Sequence, residues 1–176
     1  QEQWLGRQLA EPGAAWTVLG QGTLFGARDL KHGPGETYWN DGWDGYAASR
    51  QRVVDLLRDG RATNPVLLGG DVHENWVGHV KADYARPDSA NVGVEFCGTS
   101  ITSRAGAADA TPARLAENPH FIHARADERG YGLADFLPGR LEVRLRTLDD
   151  VTRPDAEVRT QAAFVVQAGR PVVERA

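Results

Sequence analysis

The residues with the clearest chemical potential are Asp71 and His73, a carboxylate and an imidazole separated by one residue. They follow the apolar run Val66–Leu68 and two glycines, a pattern typical of a buried strand that ends at a ligand-binding edge. Side chains two residues apart point the same way in an extended chain, so we expect both groups to face one direction. A carboxylate suits a hard cation such as calcium or magnesium, and a neutral imidazole suits iron, zinc or manganese. The pair therefore predicts part of a metal site, which could hold two different metals.

The same pair also has an ordinary structural interpretation. Asp71 could cap the turn that follows the strand, and His73 could be a solvated loop histidine. Metal centres normally take at least three protein ligands, so two residues cannot form a closed site. Further ligands would have to come from sequence outside this chain.

A second polar segment is a turn that leads into a predicted helix. Asp44 lies near the start of this helix, where it could cap exposed amides or serve a site. Arg50 could reach an anion, although a local salt bridge is the simpler expectation. Trp43 and Tyr46 could wedge the loop onto the core, or they could join Trp39 as a platform for a sugar.

A third segment is a predicted strand that runs into a hydroxyl-rich turn. Thr99, Ser100 and Ser103 could bind a phosphate, or they could satisfy the backbone of their own turn. Glu95 lies on the strand and would need a partner, for which we expect a cation or an arginine. Cys97 is interpreted as a small buried apolar residue.

The elements that must position these groups follow from hydrophobic periodicity. Helical spacing of apolar residues predicts helices at 2–10 and 47–59. Apolar runs and period-two alternation predict strands at 16–20, 65–69, 76–82, 92–97, 121–125, 133–136, 141–147 and 163–167. Apolar and charged residues alternate over 141–147, so that strand should have one wet face, and the charged stretch after it is predicted to be a sheet edge or a tail. The four remaining histidines, which we expect to be structural or solvated, are His32, His79, His120 and His123.

Composition limits the class of protein. The 176 residues are 41% hydrophobic and 25% charged, as expected of one globular domain or a part of one. The net charge of -4 offers no broad basic face, which disfavours nucleic-acid binding. No apolar run approaches the ~18 residues that span a bilayer. The single cysteine reports nothing about the redox compartment. The chain begins with glutamine and has no methionine, so we expect it to be part of a longer product.

Taken in order, five sets of residues resemble the C-terminal portion of the PhoD-like alkaline phosphatase and phosphodiesterase family, within the calcineurin-like metallophosphoesterase superfamily. The matching pieces are Gln3–Leu5 with Trp16, Asp41–Tyr46 with Arg50, Gly70–His73, Val94–Phe96 leading into Thr99–Ser103, and Asn118–His120 with Arg129–Tyr131. The resemblance runs from about Gln3 to about Leu145.

The resemblance implies an α/β fold that is part of a four-layer sandwich, in which two stacked β-sheets are flanked by helices. Residues 1–176 would form the C-terminal portion of one such domain, with the N-terminal half absent. It also implies that Asp71 binds a calcium-type ion and His73 an iron-type ion. The family's other ligands, which include an aspartate, a tyrosine, a cysteine and an asparagine, come from its N-terminal half. Cys97 is not that cysteine, because it lies downstream of Asp71.

The function implied by the resemblance is hydrolysis of phosphate monoesters or diesters, by in-line attack of a metal-bound hydroxide on phosphorus. The missing N-terminal half would be the chain's partner, and the chain alone is expected to be inactive. Family members are exported by the twin-arginine route, which implies an extracytoplasmic location. The alternative is a non-catalytic β-rich binding or structural module, which the metal content of the natural protein would distinguish.

Overall fold

The computed structural model describes residues 1–11, 13–103 and 110–176. Within these residues the α-helices are α1 (Glu2–Ala10), α2 (Ala47–Asp59) and α3 (Ala110–Glu117), and a 3-10 helix at Trp43–Tyr46 leads into α2. The strands are β1 (Thr17–Gly20), β2 (Pro65–Gly69), β3 (Asn75–Lys81), β4 (Asn91–Cys97), β5 (Phe121–Arg125), β6 (Arg129–Phe136), β7 (Arg140–Leu148), β8 (Val158–Gln167) and β9 (Val173–Arg175). No helix of the described ranges is long and apolar enough to cross a membrane.

The first sheet has the strand order β1-β2-β4-β3-β5. β1, β2 and β4 are parallel, whereas β3 is antiparallel to both of its neighbours. Gly69, the last residue of β2, is in register with Cys97, the last residue of β4. The turns that follow β2 and β4 therefore leave the sheet side by side, at the edge where open α/β sheets commonly bind ligands.

The second sheet is an antiparallel meander with the order β6-β7-β8-β9. Along β7 the apolar residues are buried and the charged residues between them are more exposed, which confirms the predicted wet face. The buried face of this sheet packs on the first sheet through a shared apolar core, with Val66, Val94 and Phe96 on one side and Leu145 and Phe164 on the other.

The first sheet is covered on both of its faces. Val66 and Leu67, adjacent on β2, are both fully buried but belong to different apolar clusters. Val66 faces the second sheet, and Leu67 packs with residues of α1 and α2 on the opposite face. The uninterrupted apolar run was therefore correctly interpreted as a strand buried on two sides. Helices, first sheet and second sheet form three of the four predicted layers; in the described part of the chain, no helix covers the far face of the second sheet.

Most predicted elements are confirmed, and α1, α2, β2 and β5 have the predicted bounds. β6 and β8 begin earlier than predicted, at Arg129 and Val158, because pairing with β7 extends them through polar residues that carry little strand signal. The stretch after β7 includes the start of β8 and the edge strand β9. α3 was not predicted, because Pro112 interrupts its periodicity, although proline is tolerated in the first turn of a helix.

Candidate metal centre at the carboxyl edge of the first sheet

Asp71 and His73 lie in a turn that begins directly after β2, and both residues are exposed. Their backbones have positive φ angles of 70° and 57°. The prediction that extended geometry aligns their side chains was therefore wrong, because the strand ends at Gly69 and the chain does not continue in the extended conformation. Non-glycine residues with positive φ are uncommon and cost about 1–3 kcal/mol each, and they concentrate at functional sites.

The approach to this turn is closely packed. A Cβ atom on Gly69 would lie 2.2 Å from the carbonyl oxygen of Thr23, so no larger residue fits without displacing the backbone. The N–H of Gly98 donates to the Gly69 carbonyl at 3.0 Å, which joins the turn after β4 to the turn after β2. The two turns therefore form one backbone unit at the sheet edge.

Side chains from both sheets contact the carbonyl groups of the Asp71–His73 turn. The Cys97 thiol donates to the Gly70 carbonyl at 3.3 Å, and the Thr99 hydroxyl lies 3.0 Å from the His73 carbonyl. Arg129, the first residue of β6, donates to the same His73 carbonyl at 2.5 Å. Burial raises the pKa of the Cys97 thiol, which keeps it protonated as a donor.

These contacts give a structural role to residues of the hydroxyl-rich turn, for which the sequence allowed two interpretations. The Thr99 hydroxyl bonds the carbonyl groups of His73 and Glu128, so it satisfies backbone as predicted, but in neighbouring segments and not in its own turn. Ser100 accepts a hydrogen bond from Arg129 at 3.1 Å. Ser103 has no hydrogen bond to the described residues through its side chain. Cys97 is fully buried, which confirms its interpretation as a small core residue.

A charged cluster that the sequence did not predict lies beside the turn. The Glu74 carboxylate, next to His73 in sequence, accepts from Arg28 at 3.0 Å and from Arg114 at 2.5 Å. It also accepts from the indole of Trp76 at 2.8 Å. Arg28 is buried, and this burial lowers the pKa of its guanidinium. Two guanidinium groups on one carboxylate leave an excess of positive charge beside the turn, which favours an anionic ligand.

Glu95 anchors the loop that carries Arg28. Its fully buried carboxylate accepts the backbone N–H groups of Phe25 at 2.5 Å and Gly26 at 2.8 Å. Burial raises the pKa of Glu95 to about 7, although these hydrogen bonds and the nearby charge of Arg50 act in the opposite direction. The predicted arginine neighbour is thus present, but backbone amides are the direct partners.

The Asp44–Arg50 pair is a local salt bridge, as predicted for Arg50. Asp44 Oδ1 lies 2.5 Å from Arg50 Nη1, and both side chains are about nine-tenths buried. Asp44 makes no capping bond to the start of α2; its other oxygen accepts the backbone N–H of Arg28 at 3.2 Å. The capping interpretation was therefore wrong, because the carboxylate turns toward the loop that leads to the turn.

Trp43 and Tyr46 of the second segment have different surroundings. Trp43 packs edge-on against Phe25, with ring centroids 4.9 Å apart, and its indole N–H donates to Gln21 at 2.9 Å. Tyr46, by contrast, is 64% exposed. The wedge interpretation holds for Trp43, and its packing against Phe25 does not favour a role in an exposed sugar platform.

All four remaining histidines lie within bonding distance of a neighbouring polar group. His120 Nε2 lies 2.8 Å from the Ala27 carbonyl, and burial lowers its pKa to about 4. His79 accepts the backbone N–H of Val173 at 3.1 Å, and His123 bonds Gln161 at 3.2 Å. The His32 side chain is 77% exposed, and its Nδ1 lies 2.9 Å from the Glu117 carboxylate. The predicted structural or solvated roles are confirmed.

The donors of the turn fit a metal centre in part. Asp71 supplies carboxylate oxygen and His73 supplies imidazole nitrogen, and neither side chain is buried. Among the residues that the structure describes, no group of three or more His, Cys, Asp or Glu side chains is placed to hold a metal ion. The chain can thus contribute two ligands, and a complete centre needs others.

Comparison with known proteins identifies the family. A sequence model of the PhoD-like phosphatase family matches residues 1–145. Alkaline phosphatase D of Bacillus subtilis (strain 168) is 38% identical over 170 residues, which are 95% of this chain and 29% of that protein. A solved structure of PhoD matches with a TM-score of 0.90 and 36% identity, over 99% of this chain and 34% of that one. The chain spans about a third of the length of these relatives. It belongs to the PhoD-like phosphatase family.

Proposed function

We propose that this chain provides part of the active site of a metal-dependent phosphoesterase, which hydrolyses phosphate monoesters, diesters or both. The observation that carries the proposal is the exposed Asp71–His73 turn, in which a carboxylate and an imidazole project from a strained backbone at the carboxyl edge of a sheet. Such strain persists only where the surrounding structure enforces it, and it concentrates at functional sites. Membership of a phosphatase family agrees with this chemistry.

The donor chemistry suggests the metals. The Asp71 carboxylate suits calcium and the His73 imidazole suits iron, as the family resemblance also implies. A bound metal would activate water near neutral pH and neutralise charge on the phosphoryl oxygens. The protein's own contribution is to hold both ligands outward and to keep the excess positive charge of Arg28 and Arg114 near the incoming phosphate.

The remaining ligands are proposed to come from a further part of the natural protein. β1 and β6 are edge strands of the two sheets in the described ranges. Trp16, before β1, packs on Phe136 of β6 with ring centroids 6.0 Å apart, so the two edges lie on the same side. Val18 is 44% and Leu133 is 42% exposed along these edges. Unpaired strand edges with exposed apolar side chains are surfaces that proteins normally cover, which supports an N-terminal half as the partner.

The second candidate function is a non-catalytic binding or structural module. It is favoured by the observation that the described residues contain no group of three or more His, Cys, Asp or Glu side chains placed to hold a metal ion. Metal content separates the two candidates, because only the enzyme needs stoichiometric metal. Extracytoplasmic location stays a prediction of the resemblance.

The test uses the full natural protein and compares His73→Ala and Asp71→Asn with the parent. Iron and calcium are quantified in each purified protein, and hydrolysis of an aryl phosphate monoester and diester is assayed. We expect each variant to lose most of the activity and part of the metal while it remains folded. His32→Ala, which removes an exposed histidine from another loop, is the matched control and should behave as the parent. Parent-like metal content and turnover in either ligand variant would refute the assignment.

A further inference from the structure

The Asp71–His73 turn contains two strained residues with only Val72 between them. The turn has little hydrogen bonding of its own, since the backbone bond from the Val72 N–H to the Gly70 carbonyl, at 2.8 Å, closes only its first half. At about 1–3 kcal/mol for each positive-φ residue, the turn would relax unless neighbouring groups held it.

Neighbouring groups hold the carbonyl at each end of this turn. The Cys97 thiol, from the end of β4, bonds the Gly70 carbonyl that precedes Asp71. Arg129, from the start of β6, bonds the carbonyl of His73 itself. The strained segment is therefore fixed from the first sheet at one end and from the second sheet at the other.

The Arg129 guanidinium is suited to this position by its donor pattern. Nη1 donates to the His73 carbonyl and reaches the hydroxyl oxygens of Thr99 at 2.8 Å and Ser100 at 3.1 Å. Nη2 donates to the Ala126 carbonyl at 2.5 Å, which ties the group to the segment between β5 and β6. The planar fork thus links both turns to β6, which a flexible ammonium group could not reproduce.

The burial of Arg129 is costly for the fold. The residue is 2% exposed, and no carboxylate lies within salt-bridge distance of it among the described residues. Its Nε is buried without a hydrogen-bond partner in the same ranges. A buried guanidinium paired only with neutral oxygens adds little stability, so its position calls for a functional explanation.

We propose that Arg129 is a positioning residue for the candidate metal centre, which holds the His73 carbonyl so that the strained turn presents Asp71 and His73 to a metal. This inference rests on the proposed function. It predicts that loss of Arg129 weakens metal binding about 10- to 100-fold, as loss of outer-shell partners does at other metal sites. It also predicts that amide exchange in residues 70–75 becomes faster than in the parent, whereas exchange in the strands of the first sheet changes less.

The test compares Arg129→Met, Arg129→Lys and the parent, each as the full natural protein. The affinity for added Mn²⁺ is measured by calorimetry, and amide exchange is followed by mass spectrometry on metal-depleted protein. We expect weaker binding and faster exchange at 70–75 in Arg129→Met, with at most partial rescue by lysine. Arg129→Lys decides the question should Arg129→Met fail to fold, because one ammonium group cannot reproduce the bonds of both guanidinium nitrogens.

Arg144→Met is the matched control, because Arg144 also has a buried Nε without a partner in the described ranges but pairs with Asp135, away from the turn. It should leave Mn²⁺ affinity and exchange at 70–75 as in the parent. Parent-like affinity and exchange in a folded Arg129→Met protein, or in Arg129→Lys where it serves as the substitute, would overturn the inference. If His73→Ala binds Mn²⁺ as tightly as the parent, the proposed function is refuted instead. Amide exchange at 70–75 in Arg129→Met then tests separately whether Arg129 holds the turn.

Discussion

Replacement of Glu95 by glutamine should change the pH dependence of folding as well as the stability. The two carboxylate oxygens accept one backbone N–H each, from Phe25 and Gly26. At pH 5 the Glu95 carboxyl is protonated in the folded protein, but its hydroxyl oxygen can still accept an N–H. Glutamine has a single acceptor oxygen, so one buried amide loses its partner and faces an amide donor. An unsatisfied buried donor costs about 1–3 kcal/mol. We expect Glu95→Gln to be less stable than the parent by this amount at pH 5.

The parent should lose this advantage as the pH rises. Burial raises the pKa of Glu95 from 4.5 to about 7 in the folded protein. A raised pKa stabilises the folded state below the unfolded pKa, and that stabilisation is lost as the pH rises toward the folded value. The shift corresponds to about 3 kcal/mol. Glutamine does not titrate, so the stability difference between the two proteins should shrink or reverse by pH 9.

The assay is urea unfolding of the metal-depleted natural protein at pH 5, 7 and 9. Glu157→Gln makes the same chemical change at an exposed position and should follow the parent at every pH. Parallel stability curves for the parent and Glu95→Gln would refute the reasoning, because they would mean that the carboxylate does not ionise differently in the folded state.

Three further outcomes are expected. Trp43→Ala should lower the free energy of unfolding by about 2–4 kcal/mol, whereas Tyr46→Ala, at an exposed ring, should change it by about 0.5 kcal/mol or less. Equal shifts of the melting temperature in the two variants would contradict the interpretation that Trp43 packs its loop onto the core. Gly69→Ala should displace the turn, because its Cβ would meet the Thr23 carbonyl at 2.2 Å, and a parent-like Mn²⁺ affinity would argue against that. Residues 1–176 alone should not hydrolyse aryl phosphates with added iron and calcium, and they should self-associate through the open strand edges; a stable, active monomer would show that the site is misplaced.

The sequence by itself determined the helices and strands whose buried faces follow from the local spacing of apolar residues. The bounds of α2 and β2 follow from apolar spacing, and the alternation along β7 predicted which face meets the core. Periodicity succeeds here because each side chain's direction depends only on its position along its own helix or strand. The order of short motifs also sufficed for the family, and Asp71 and His73 could be selected as candidate ligands without coordinates.

Only the tertiary structure decided how the turn is held. Glu74 meets Arg28 and Arg114, which lie 46 and 40 residues away in sequence, and Arg129 meets His73 from the other sheet at a separation of 56. Such contacts depend on strand order and register, which no local pattern encodes. The strained backbone of Asp71 and His73 could not be predicted either, because positive φ is unfavourable for these residues when isolated. The packed neighbours that enforce it exist only after the two sheets have joined.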